Sequence, residues 1–272
     1  MNGKIVLTAI ATCATCLGSL GISSPAEAHN FFGTKWGDRE FGTGATVTYS
    51  FIPSGTGCDP YCQEGDRIMA VEDILNGFED EVRKAFGAWG DAANIDFIEV
   101  ADNGKDFNHP DALGDIRIGA VKFDGPSGTF ANAFFPHPDE GLSGAGDVLF
   151  DVSENWAVDS IDGDLETIDI FQVAAHEIGH TIGLTHSNVD DSLMNEYYSE
   201  SFRGPQADDI ASATTVYGSS ATEDVPLEVA LRLQSDPHFY SQKAKKKTVP
   251  EPTTVSSLLG LGLLGLILKR RQ

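Results

Sequence analysis

The chain has 272 residues, a formal net charge of −23 and 41% hydrophobic residues. That length can fill one good core, so a single folded domain with short appendages is expected. The acidic excess argues against a nucleic-acid binder, whose phosphate partners would be repelled; it fits an exported protein that holds hard cations through carboxylates, though on charge alone an ordinary solvated acidic surface is the commoner case.

At the start of the chain Lys4 precedes an apolar, small-residue run from Ile5 to Ile22, and Ala26-Glu27-Ala28 follows. A charged start, an apolar centre and an A-x-A site make residues 1–28 a signal peptide, cut by signal peptidase before His29. Cys13 and Cys16 leave with it. Cys58 and Cys62 stay in a Gly/Asp-rich loop of an exported chain, where a small local disulfide is the expected state. Two cysteines alone are half a metal site.

Thr46 to Phe51 alternates polar and apolar side chains, which predicts a strand. Val71, Ile74, Leu75, Phe78, Val82, Ala85, Phe86 and Trp89 then fall on one face at three-to-four spacing, opposite Glu79, Asp80, Arg83 and Lys84, and predict one long amphipathic helix. Ile95–Val100, Ile116–Val121, Thr129–Phe135 and Asp147–Phe150 are strand candidates separated by loops rich in Gly, Pro and Asp. Helices are predicted over about 168–183 and 206–217, the second stopped by Gly218. Residues 219–248 have the composition of a linker, with a possible short helix from Leu227 to Leu233.

The helix over 168–183 carries the chemistry. His176 and His180 lie one turn apart on the same face, so both imidazoles can reach one ion, and Glu177 projects beside them where a carboxylate can take a proton from water. Gly183 tolerates a positive φ, letting the chain turn sharply and bring His186 round as a third ligand. Three protein ligands leave the open position that a catalytic zinc needs. The pattern His176-Glu177-Ile178-Gly179-His180-Thr181-Ile182-Gly183-Leu184-Thr185-His186 is the metzincin zinc-peptidase signature.

The flanks resemble the catalytic domain of the matrixins, the matrix metalloproteinase family. Ser187 follows the third histidine, Leu193-Met194 lies at the family's Met-turn, and Tyr198 stands four residues beyond it. Val82 to Trp89, Asp96 to Val100 and Gln206 to Gly218 also resemble family segments, and the likeness runs from about Thr34 to Gly218. It implies an α+β zincin/metzincin fold: a twisted, mostly parallel five-stranded sheet with three helices, filling a catalytic domain over 29–218. It implies that Met194 floors the zinc, and that Tyr198, with Phe130 and Ala131 of an edge strand, lines the substrate pocket. Glu196 replaces the usual Pro of that wall. Asp124, Asp151 and Glu154, with loop carbonyls at Gly125, Ser127 and Thr129, match the family's structural calcium site, and Asp115 and Asp147 match a second. The family's second zinc is expected to be missing, because Asn132 and Leu149 stand where histidines would be and His137 alone cannot rebuild the site. A cysteine-switch propeptide is expected to be missing as well.

Val255 to Leu268 is an apolar run followed by Lys269-Arg270-Arg271. As a helix, about 14 residues span only ~21 Å, short for a bilayer core of ~30 Å. With Pro250-Glu251-Pro252 before it, residues 249–272 resemble the PEP-CTERM sorting signal, a short apolar helix with a basic tail. That resemblance implies an exosortase-type partner in a bacterial envelope, with surface, envelope or extracellular localisation and C-terminal membrane anchoring, transient or lasting. The expected function is an exported, monomeric, zinc-dependent endopeptidase acting on extracellular or envelope proteins. A non-catalytic, calcium-stabilised surface or matrix protein with a structural zinc, and a metal hydrolase of non-peptide bonds, are the competing readings.

Overall fold

The computed structural model describes residues 31–59, 61–62, 65–137, 144–160, 166–220 and 265–269, the last five by their backbone path. The signal peptide (1–28), the possible helix at Leu227–Leu233 and most of the linker and sorting segment lie outside the described residues.

Strand β1 (Ala45–Phe51) leads to helix α1 (Phe78–Ala92), then β2 (Ile95–Glu99), β3 (Ile116–Val121), β4 (Thr129–Phe134) and β5 (Val148–Asp151). Two short strands, β6 (Trp156–Ala157) and β7 (Ile168–Asp169), precede helix α2 (Ile170–Thr181); helix α3 (Ala207–Tyr217) closes the domain, and β8 (Gly265–Lys269) follows much later. The sheet order is β2-β1-β3-β5-β4-β8. β1 pairs parallel with β2 and β3, and β3 parallel with β5; β4 is antiparallel to β5. The expected five-stranded, mostly parallel sheet and three α-helices are therefore present, joined by a sixth strand.

Three differences from the sequence pattern have physical causes. The single long helix is split into a 3-10 turn at Val71–Asp73 and α1, because Gly77 takes φ 90. Glu72 caps the break, accepting the N–H of Gly77 (2.7 Å) and of Glu79 (3.1 Å). The metal-motif helix starts at Ile170 because the side chain of Asp169 accepts the N–H of Gln172, while Ile168 and Asp169 pair with β6. In the tail, Gly265–Lys269 is extended where a short apolar helix was expected, because it pairs with the outer edge of β4.

α1 and α2 pack on the sheet and share a core from Trp36 to Tyr217. Indole and phenol groups settle polar backbone there: Trp89 Nε1 donates to Ala175 O (2.8 Å), Trp36 Nε1 to Thr181 O (2.8 Å) and Tyr217 Oη to Ile182 O (3.0 Å). The last two serve the C-terminal end of α2, where helix carbonyls otherwise lack partners. Cys58 and Cys62 form the expected disulfide beside a second, smaller cluster around Ile52, Ile68 and Leu149.

On β3, Arg117 is wholly buried and pairs with Asp102, Nε to Oδ2 at 2.9 Å and Nη2 to Oδ1 at 3.1 Å. Removing one partner of such a pair strands the other charge in the core. Asp102→Ala is expected to lower unfolding free energy by about 3–5 kcal/mol, measured by urea denaturation; a loss under about 1 kcal/mol would contradict this.

Candidate metal centre

Every residue of α2 is buried, including Gln172, His176, Glu177, His180 and Thr181. Buried polar groups need partners, so each of these can be accounted for in turn. Gln172 accepts from Gly204 N (3.0 Å) and donates to Ser199 O (3.2 Å), and Thr181 Oγ1 donates to Ile178 O (2.8 Å). His176 Nδ1 meets Leu193 O at 2.7 Å and His180 Nδ1 meets Leu184 O at 2.8 Å. A carbonyl only accepts, so each Nδ1 carries the hydrogen and each Nε2 is left with a bare lone pair.

Those two Nε2 atoms lie 3.1 Å apart. Two lone pairs cannot hydrogen-bond to each other, and their juxtaposition fits a shared cation. His186 completes the set: one ligand atom from each of the three histidines falls within 4.8 Å of the others. Among the described residues this is the one group of three or more such side chains so gathered. Burial, then the neighbouring imidazoles, holds His176 down to about 3 and His180 well below the usual histidine range, so both stay neutral and able to ligate. Both carboxylate oxygens of Glu177 are buried without a hydrogen-bond partner, and burial pushes its pKa well above the ordinary carboxylate range.

Backbone geometry delivers the third histidine. Gly183 has φ 96, and Leu184 N returns to Gly179 O at 3.0 Å, turning the chain off the helix. A Cβ at Gly183 would run into Thr34 O. Beyond His186, Ser187 N donates to Met194 O (2.8 Å), which folds the segment back beneath the cluster. Met194 is buried against Gly179, where a Cβ would collide with its sulfur and come within 3.0 Å of the Trp89 ring. Asp209 of α3 clamps this turn, accepting from Leu193 N (2.7 Å), Met194 N (3.0 Å) and Ser192 Oγ. Because Leu193 O orients His176, α3 positions this imidazole through one peptide unit.

A family profile described as Matrixin matches residues 71–218, more than half of the chain. The chain belongs to the matrixin family. A second profile, the PEP-CTERM protein-sorting motif, matches residues 248–271. The chain is 38% identical to the hatching enzyme of Paracentrotus lividus over 54% of its own length and 23% of that protein. It is 38% identical to karilysin of Tannerella forsythia over 52% of itself and 28% of karilysin, and 40% identical to human matrix metalloproteinase-17 over 46% and 19%. It thus spans about a quarter of the length of these relatives. Matrixins use a catalytic zinc, and the histidine cluster is where this matrixin would hold it.

The remaining predicted residues fall into two groups. Tyr198 and Phe130 are brought together, ring centroids 5.7 Å apart, beside Ala131 on β4. The Tyr198 hydroxyl is tied back, accepting from Asp169 N (2.9 Å) and donating to Glu200 (3.0 Å). A small cleft is lined by Gln172, His176, Leu193, Tyr197, Tyr198 and Phe202, among others. Gln172, Tyr197 and Phe202 are additions to the sequence-based set; Gln172, four residues before His176 on one helix face, carried a usable signal.

The acidic loop is arranged differently from the histidines. Asp124 accepts from Thr129 N (3.0 Å), and Glu154 from Ser127 N (3.0 Å) and Gly128 N (3.2 Å). Asp151 Oδ1 accepts from Ser153 N, while its Oδ2 is buried without a partner. Asp124 and Asp151 lie close enough to raise the pKa of Glu154, after the larger effect of burial. Asp115 and Asp147 are held on different partners, Asp115 by Thr48 and Asp147 by Arg117 N. Asn132 and Leu149 are cross-strand partners, and His137 packs edge-on against Phe32.

Asp209→Ala should release the Met-turn and slacken the Leu193 carbonyl that orients His176. A roughly 10- to 100-fold loss of zinc affinity is expected, as for outer-shell partners generally, measured by chelator competition. Unchanged affinity would contradict the clamp.

Proposed function

We propose that this matrixin is an exported zinc-dependent endopeptidase, with zinc on His176, His180 and His186 and Glu177 as the general base. The observation that carries the reading is the accounting on α2: every buried polar group there is paired except the facing imidazole nitrogens and the Glu177 carboxylate. A purely structural metal has no use for a carboxylate stranded beside it.

His176, His180 and His186 would hold the zinc ion, which when bound would supply Lewis acidity, lowering the pKa of water to about 7 and polarising a scissile carbonyl. Glu177, desolvated and unpartnered, takes the proton from the attacking water and passes it to the departing amine nitrogen. Water's oxygen goes to the carbonyl carbon, the C–N bond breaks, and Glu177 ends as it began. The Nδ1 hydrogen bonds of His176 and His180 hold both Nε2 atoms towards one point, where they would ligate the ion. An extended peptide would lie antiparallel to β4, gaining main-chain hydrogen bonds as an added strand does. Its side chain after the cut would enter the cleft by Tyr198, Phe130 and Ala131.

A calcium ion among Asp124, Asp151 and Glu154, with carbonyls from Gly125, Ser127 and Thr129, would stabilise the loop; the nearness of Asp151 and Asp124 to Glu154 and the orphaned Asp151 oxygen support this. Asp115 and Asp147 are the second candidate pair: Asp115 is engaged by Thr48 and Asp147 Oδ1 by Arg117 N, while Asp147 Oδ2 is buried without a partner. We assign one zinc, a signal peptide over 1–28, a catalytic domain over 29–218 and a linker over 219–248. The PEP-CTERM motif points to export and to an envelope or surface location, with an exosortase-type enzyme as processing partner. Among the described residues no helix is long and apolar enough to cross a membrane.

Glu177→Gln should retain zinc yet lose about 10²–10⁴-fold in kcat/KM on casein or a quenched peptide; unchanged cleavage would sink the assignment. Calcium at ~100 times its dissociation constant should raise Tm by about 5–10 °C, a shift absent from Asp151→Asn. A calcium-independent melting curve would remove the calcium site.

A further inference from the structure

In the five-strand order β2-β1-β3-β5-β4, strand β4 is terminal, and its outer row of N–H and C=O groups has no partner within that set. A strand edge of this kind accepts any extended segment that reaches it. In this structure β8 takes it, antiparallel, with Phe134 opposite Gly265, Ala133 opposite Leu266, Asn132 opposite Ile267, Ala131 opposite Leu268 and Thr129 opposite Lys269. The register shifts between Thr129 and Ala131, which leaves Phe130, the residue packed on Tyr198, out of the pairing. β8 also runs within 8 Å, Cα to Cα, of α2, the helix that carries His176, Glu177 and His180. The segment therefore follows the edge, and has the polarity, that the reading above gives to a peptide substrate.

We propose that the end of the sorting tail, Gly265–Lys269, is an intramolecular occupant of the substrate edge, so that the chain bearing its tail is held latent and loses that restraint when the tail is withdrawn. The proposal rests on the peptidase reading for its functional half; the docking half stands on the strand pairing. Residues 221–264 separate β8 from the domain in sequence, and the entropic cost of joining two points of a chain grows only with the logarithm of their separation. Effective concentrations for two parts of one chain reach the order of 1 mM. If the isolated strand binds at ~0.1 mM, about nine clefts in ten are closed.

The occupant is matched to its signal. Leu266, Ile267 and Leu268 belong to the apolar run of the PEP-CTERM motif, and the same residues cannot lie along β4 and in a bilayer at once. Engagement of the tail by membrane or sorting enzyme would then open the cleft, tying activity to arrival at the envelope.

The test uses the full zinc-loaded chain, without detergent or vesicles, against the double variant Leu266→Pro/Ile267→Pro. Successive N–H groups on a strand point to opposite sides, so prolines at both positions must delete one hydrogen bond to β4 whichever faces it. The core runs from Trp36 to Tyr217, so an unchanged Tm is the folding control. An intramolecular competitor predicts that the variant's KM for a peptide substrate falls about tenfold with kcat unchanged. Amide exchange, followed in a Glu177→Gln background to prevent self-cleavage, should show residues 130–134 protected with the native tail and exposed with the prolines. Equal KM values, or equal protection of β4, would overturn the proposal. If neither chain cleaves peptide but only the native tail protects β4, the peptidase reading fails and the docked tail stands.

Discussion

Two neutral imidazoles whose bare nitrogens face each other at 3.1 Å inside an apolar core are the constraint around which this matrixin is arranged. Both rings are pinned from behind, by Leu193 O and Leu184 O, which holds the two nitrogens on one point. Those carbonyls are fixed in turn. Leu184 is set by the turn at Gly183, and Leu193 by the Asp209 clamp reaching over from α3. The C-terminal end of α2 is held by Trp36 and Tyr217, which anchor the first and last parts of the domain to the metal helix. Fold and site are thus one network: few elements could move without moving a ligand nitrogen.

The histidine cluster was almost fully legible in the sequence because its parts are local. A helix puts His176 and His180 on one face, a glycine reverses the chain, and His186 follows three residues later. The strands and the closing helix were legible for the same reason. What escaped were features made by contacts between distant segments. The periodicity from Val71 to Trp89 is real, yet Gly77 breaks the helix, and only the Glu72 cap makes the break stable. The Asp209 clamp joins α3 to a turn some fifteen residues earlier through backbone N–H groups, which leave no mark in side-chain pattern. The cleft residues Tyr197 and Phe202 sit in irregular chain, where spacing says nothing of which way a ring faces.

The tail is the sharpest case. Its apolar residues carry the composition of a short membrane helix, and a strand pairing to β4 depends on an unpaired edge more than a hundred residues upstream. An apolar segment takes whichever partner hides it, a bilayer or a sheet edge, and context decides between them. The acidic loop shows the same dependence on context. Asp124 and Glu154 turn their oxygens to nearby backbone N–H groups, whereas the three histidines converge on one point.

The central claim is that three histidines hold zinc and leave a position open beside Glu177. X-ray absorption at the zinc edge of the purified, metal-loaded chain tests it most directly. The account predicts one zinc per chain with three nitrogen ligands at about 2.0–2.1 Å and a water oxygen in the fourth place. A closed shell of four protein ligands, or zinc that binds equally well to a His176→Ala/His180→Ala chain, would contradict it.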